Sequence, residues 1–196
     1  MGHSKKVFES LSIAVLTVSD TRNRTSDTSG EFLAVNAMED GHQVIRRDIV
    51  IDDIYLIRSI VSNYIADPNI QAILITGGTG FTDRDSTPEA VKPLFDKEVE
   101  GFGELFRHLS YQEIGTSTIQ SRAISGLANN TVIFCVPGST GACKTAWCGI
   151  IQAQLNGAQG PCNFVPHLKR TAATFCATRE EVTDQQTEMK NETTQA

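Results

Sequence analysis

The sequence predicts an α/β protein built on a mostly parallel, mixed β-sheet flanked by helices. Three observations carry this. Short apolar runs rich in β-branched residues alternate with segments of helical spacing. Glycine-rich turns close several of those runs. Near residue 130 the pattern changes to a hairpin, which places one antiparallel element in the sheet.

Taken in order, Ser12–Val18 is a continuous apolar run of the kind found in buried parallel strands. It ends at Ser19-Asp20 and is followed by a polar loop, Thr21–Ser29. Glu31–Glu39 has helical spacing and is ended by Gly41. Gln43–Val50 is a more polar strand. Asp52-Asp53 can cap the next helix, whose apolar residues Ile54, Ile57, Val61 and Ile65 recur at helical intervals. Ile70–Ile75 is a third strand. Thr87-Pro88-Glu89 opens a helix with proline in its first turn, and more helix runs through Phe102–Leu109. Arg122–Phe134 reads as a hairpin with Asn129-Asn130 at its turn. Val132–Val136 leads into Pro137-Gly138-Ser139, and a last helix spans about Gly141–Leu155.

The chain has 196 residues, 40% hydrophobic and 20% charged, which suits a globular protein with a substantial core. Residues 1–170 are expected to form a single domain. Residues 171–196 have a different composition, with five acids (Glu180, Glu181, Asp184, Glu188, Glu192) against two bases (Arg179, Lys190). They are expected to form a flexible acidic tail, with a short helix at Thr178–Val182. A net charge of −6 argues against non-specific nucleic-acid binding. No apolar run approaches the roughly 18 residues of a membrane span, and Met1–Ser10 lacks the apolar stretch of a signal peptide. The expectation is a cytoplasmic protein with no membrane partner. Its five cysteines form no CxxC pair and read as reduced thiols. The four scattered histidines lack zinc-ligand spacing.

In an open parallel sheet, ligands bind beyond the carboxyl ends of the strands. Four such ends carry conspicuous residues: Ser19-Asp20, Asp52, Thr76-Gly77-Gly78-Thr79-Gly80, and Pro137-Gly138-Ser139-Thr140-Gly141. Three glycines in Thr76–Gly80 permit positive φ and leave backbone N–H groups unobstructed, an arrangement that holds phosphate or carboxylate. A tight strand-to-helix turn without a ligand would need the same glycines. Asp83-Arg84-Asp85 follows at once. Carboxylates beside a phosphate cradle require a cation between them, and magnesium is the natural one. A solvated acidic turn is the plain alternative, as helix capping is for Asp52.

Pro137–Gly141 is a second anion cradle, opening a helix. It is not a P-loop, because Cys143 precedes Lys144 where that motif needs glycine. Gly101–Arg107 contains Glu104, which can hydrogen-bond a polar heterocycle, beside Phe102 and Phe106, which suit a core. Trp147 suits core or a subunit interface.

The order and spacing of Thr76–Gly80, Arg84-Asp85-Ser86-Thr87-Pro88-Glu89-Ala90, Gly101–Arg107 and Pro137–Thr140 resemble the MoaB/MogA family of molybdenum cofactor biosynthesis. The same domain type occurs in gephyrin-like and Cnx-like proteins. The likeness covers about Ser12–Arg170, and Ile114–Ala123, Ala142–Trp147 and Pro161–Lys169 resemble the family's B branch.

The resemblance implies a three-layer α/β/α sandwich and molybdopterin binding. In active members it also implies adenylylation of molybdopterin by Mg-ATP, with molybdopterin as substrate and Mg²⁺ accompanying ATP. It assigns Asp52 and Asp85 to catalysis and magnesium. It assigns Ser19, Asp20, Thr76, Gly77, Gly78, Thr79, Gly80, Thr87, Glu104, Pro137, Gly138 and Ser139 to the substrate or nucleotide. It further implies a homo-oligomer, trimer or hexamer, and contact with other proteins of that pathway. The alternatives are a non-catalytic molybdopterin-binding protein and an assembly module whose oligomer matters more than its pocket.

Overall fold

The computed structural model describes residues 7–170; the expected acidic tail and its Thr178–Val182 helix lie outside the described residues. Six strands make one sheet: β1 (Ser12–Val18), β2 (Gln43–Val50), β3 (Ala72–Thr76), β4 (Lys97–Glu98), β5 (Ile124–Ala128) and β6 (Thr131–Val136). Their spatial order is β2-β1-β3-β6-β5-β4. The first four in that order are parallel, and β5 runs antiparallel to both β6 and β4. The continuous apolar runs occupy the central strands β1, β3 and β6, where both faces are covered. The more polar β2 lies at one edge. β4, two residues long, is too short to leave a sequence pattern.

The helices are α1 (Thr28–Glu39), α2 (Ile54–Ala66), α3 (Thr87–Val91), α4 (Glu100–Ile114) and α5 (Thr140–Ala146), the last continuing through a π-helical turn, Trp147–Ile151, into α6 (Gln152–Gln154). Alternate residues of β1 face opposite layers. Ile13 and Val15 pack with Leu33 of α1, Phe102 and Phe106 of α4, and Trp147. Ala14 and Leu16 pack with Ile57 and Val61 of α2 and Val91 of α3. The molecule is therefore a three-layer α/β/α sandwich.

Several boundaries move for identifiable reasons. α1 begins three residues before its expected start because Asp27 caps it, accepting from the Gly30 N–H at 2.9 Å. The buried Asp27 carboxylate also accepts from Thr17 Oγ1 at 2.9 Å and pairs with Arg47. α4 outruns its expected end and passes into a 3₁₀ segment, Gly115–Gln120. Asn129 and Asn130 both adopt positive φ, 46° and 56°, as a two-residue type I′ hairpin turn requires. Trp147 is core, and its Nε1 donates to Asp40 Oδ2 at 3.1 Å. Cys135 and Cys143 are buried thiols, whereas Cys148 and Cys162 are exposed; all four are free.

His42 precedes β2 and its Nδ1 accepts the Leu11 N–H at 3.1 Å. Burial pushes its pKa below the usual 6.5, against the opposing charge of Asp40. Because the folded value lies below the unfolded one, this contribution to stability is complete above about pH 6.5 and is lost as pH falls through the folded value. The thermal midpoint should fall on acidification from about pH 7 to 5, a window set by the unperturbed histidine value. His42→Gln, which keeps an acceptor, should flatten part of that slope; an unchanged slope would remove His42 as its source.

Candidate ligand-binding site

The parallel strands β1, β3 and β6 run side by side and stop at nearly the same level, Thr17 opposite Thr76 and Thr76 opposite Val136. The segments that leave them converge on one cavity of about 470 Å³. Ser19, Thr76–Gly80, Asp85 and Pro137–Ser139 all line it. The strand order thus brings the two expected anion cradles to a single site.

The Thr76–Gly80 loop is held from several sides. Gly77 (φ 102°) donates to the Val136 carbonyl at 3.0 Å, and a Cβ there would lie 2.1 Å from the Val18 carbonyl oxygen. Gly78 (φ 63°) has room for no side chain either, since its Cβ would meet Thr87 Oγ1 and Asp52 Oδ2. Thr87 Oγ1 donates to the Gly77 carbonyl at 2.8 Å, and the Thr87 N–H to the Gly78 carbonyl at 2.9 Å. Thr76 Oγ1 bridges to the Pro137 carbonyl at 3.0 Å and so ties one cradle to the other. Ser139 caps α5 by accepting the Ala142 N–H at 3.1 Å.

The carboxylates occupy different ranks. Asp85 lines the cavity, and its Oδ2 accepts from the Thr82 N–H at 2.9 Å and Thr82 Oγ1 at 2.6 Å. Burial works against its ionisation, yet the Thr82 bonds, the Gly80 N–H and the nearby Arg122 charge outweigh it and hold the carboxyl below its ordinary range. Asp52 is buried behind Gly78. Its Oδ1 accepts from the Ser86 N–H at 3.0 Å and Ser86 Oγ at 2.6 Å, so Asp53, not Asp52, caps α2. Asp20, expected in the site, does not line the cavity; it is exposed and engaged by its neighbours. It accepts the Asp52 N–H at 3.0 Å and a two-pronged contact from Arg84, and the Arg84 bond is the main cause of its lowered pKa.

Glu104 does not join this site. It lies in a separate depression with Lys92, Gly103 and Arg107. The reason is helical phase: Phe106, Ser110, Glu113 and Ile114 share the face of α4 that lines the cavity, and Glu104, two residues before Phe106, points about 200° away. Thr87 and Asp52 support the glycine loop from behind it.

Sequence reasoning missed Arg22, Glu113, Gln120, Ser121 and Thr145 in the lining. The 106/110/113/114 spacing was a usable signal for the α4 face. For Arg22 and Thr145 there was none, because only the fold brings the loop after β1 and helix α5 together. It also missed Arg122, which braces the loop by donating to the Thr79 carbonyl at 3.3 Å and the Asp85 carbonyl at 2.8 Å.

Among the described residues no group of three or more His, Cys, Asp or Glu side chains could enclose a metal. Of the two aspartates expected to hold magnesium, only Asp85 lines the cavity, while Asp52 stands behind Gly78; one carboxylate suits magnesium when phosphate oxygens and water complete its shell.

The fold and the cavity define an α/β ligand-binding protein with its site at the carboxyl ends of a parallel sheet, walled by two glycine-containing cradles. A family model described as "Probable molybdopterin binding domain" matches residues 14–157. The chain is 58% identical over 158 residues to molybdenum cofactor biosynthesis protein B of Escherichia coli K12, covering 81% of this chain and 93% of that protein. It is 45% identical over 154 residues to the protein of the same name from Staphylococcus aureus, covering 77% and 91%. A crystal structure of a molybdenum cofactor biosynthesis protein B superposes with a TM-score of 0.73 at 42% identity, covering 75% of this chain and 92% of that one. The tungsten cofactor synthesizing protein MoaB of Pyrococcus furiosus superposes at 0.65 with 35% identity, covering 72% and 91%. The chain belongs to the MoaB/MogA family of molybdopterin-binding domains. No helix among the described residues is long and apolar enough to cross a membrane.

Proposed function

We propose that this protein acts in molybdenum cofactor biosynthesis, binding molybdopterin and adenylylating it with Mg-ATP. The observation that carries the reading is the meeting of two anion cradles and the Asp85 carboxylate in one cavity. A reaction between two phosphate-bearing molecules needs two such cradles side by side. An oxygen of the terminal phosphate of molybdopterin attacks the α-phosphorus of ATP. The new P–O bond forms as the α–β bridging bond breaks, and pyrophosphate leaves with the electron pair. Asp85 would hold magnesium at the cavity wall, with Asp52 behind the glycine loop, and the ion would supply charge neutralisation at the phosphates. The protein's own work is positioning and electrostatics: the Thr76–Gly80 and Pro137–Ser139 backbones orient the phosphates.

A second reading, molybdopterin binding without turnover, draws on the internal hydrogen bonds that both aspartates make to Thr82 and Ser86. Purified protein incubated with molybdopterin and Mg-ATP separates the two. Adenylylated molybdopterin and stoichiometric pyrophosphate are expected. Saturable molybdopterin binding with no product would establish the second reading, and neither binding nor product would overturn both. The same proposal includes a cytoplasmic homo-oligomer, trimer or hexamer, working with other proteins of the pathway. It draws on exposed apolar side chains such as Tyr55 and Ile119, and a stable monomer in sedimentation at micromolar concentration would contradict it.

A further inference from the structure

The two sides of the cavity differ in chemistry. One is mainly main chain, the glycine loop and Pro137–Ser139, with Arg22 and the Asp85 carboxylate beside it. The other comes from α4 and the 3₁₀ segment after it, and offers Phe106 and Ile114 as apolar surface beside Glu113, Ser117 and Gln120. Glu113 is held in place, since Thr145 Oγ1 lies 2.9 Å from its Oε2. Thr145 is itself buried at 9% exposure, so it forms a fixed support. Ser121, on the same side, has a buried Oγ with no hydrogen-bond partner.

A carboxylate on this wall would repel phosphate. It matches instead a flat ring that shows two adjacent N–H donors, one to each carboxylate oxygen. The N3–H and 2-amino group of a 2-amino-4-oxopyrimidine form such an edge. Adenine does not, because its amino group is flanked by ring acceptors, which a carboxylate disfavours. The ring's acceptors would also give the orphaned Ser121 hydroxyl a partner, relieving the cost of a buried unpaired group.

We propose that Glu113, positioned by Thr145, selects the 2-amino-4-oxopyrimidine edge of the pterin, which assigns the α4 wall to the pterin and leaves the adenine elsewhere. The inference rests on the molybdopterin reading above.

The test compares a 6-substituted pterin with the lumazine carrying the same substituent, in which an oxo group replaces the 2-amino group. Affinities are read from quenching of ligand fluorescence. The wild-type protein should prefer the pterin by at least about tenfold, because the lumazine leaves Glu113 facing an acceptor. In Glu113→Gln the preference should shrink to within about twofold, with Mg-ATP affinity unchanged. Glu113 is exposed, so that variant should fold normally. Thr145→Val should lose part of the preference and Thr145→Ser should restore it, a pattern that a purely structural threonine would not produce. Retained selectivity in Glu113→Gln, or a loss confined to Mg-ATP affinity, would overturn this assignment alone. A wild-type protein that binds neither molybdopterin nor the pterin would overturn the molybdopterin reading and this inference together.

Discussion

Asp85→Asn should lower adenylylation by about 10²-fold or more while leaving the protein folded. The substitution is nearly isosteric. The asparagine carbonyl can still accept from the Thr82 N–H and hydroxyl, the contacts that shape the turn around Asp85. What disappears is the negative charge beside the cavity, and with it the ability to hold a cation against phosphate. The cost in stability should stay within about 1 kcal/mol, the size of one perturbed hydrogen bond. Pyrophosphate release and a thermal melt measured on the same preparation check both halves. Because hydrogen bonds and Arg122 keep the Asp85 carboxyl below its ordinary range, the residue stays ionised at neutral pH. The pH profile of turnover should therefore show no step near neutrality from this group. Normal turnover by the variant would remove Asp85 from the catalytic role and favour the binding-only reading.

Gly77→Ala should destabilise the protein by about 3 kcal/mol, more than a typical single substitution, and abolish ligand binding. Two costs add. The positive φ of 102° is one that residues with a side chain rarely adopt. The new Cβ would also fall 2.1 Å from the Val18 carbonyl oxygen. That carbonyl belongs to the end of β1, a strand bonded on both sides by β2 and β3, so it cannot move aside without breaking the sheet. For a protein of this size the thermal midpoint should drop by about 6–12 °C. Gly141→Ala is the matched control. Nothing lies near its Cβ, the site is helical, and alanine there should leave stability the same or slightly higher. Equal midpoints for Gly77→Ala and wild type would show that the loop has slack and that its glycines are not required by packing.

Much of the candidate site was legible because its parts are local. Three glycines in five residues, a proline-glycine-serine turn before a helix, and an aspartate soon after the first loop are short patterns with direct physical meaning. Glu104 shows where that ends. It belongs to a conspicuous glycine-phenylalanine stretch, yet the phase of α4 turns it away from the cavity and turns Glu113 toward it. Asp52 is similar. Its position after a strand was readable, but whether it capped a helix, faced solvent or braced Gly78 depended on Ser86, 34 residues away.

Residue type and period by themselves determined the α/β class, the central buried strands and the hairpin turn, because backbone preferences and alternating burial act over a few neighbours. They also determined which loops leave the sheet with glycine. The tertiary structure alone decided that these loops meet at one cavity and that the far wall is made by α4 with Thr145. It alone decided which carboxylate lines the cavity and which lies behind it. Those outcomes rest on strand order and helix rotation, set by packing between residues distant in the chain, and no local pattern encodes them.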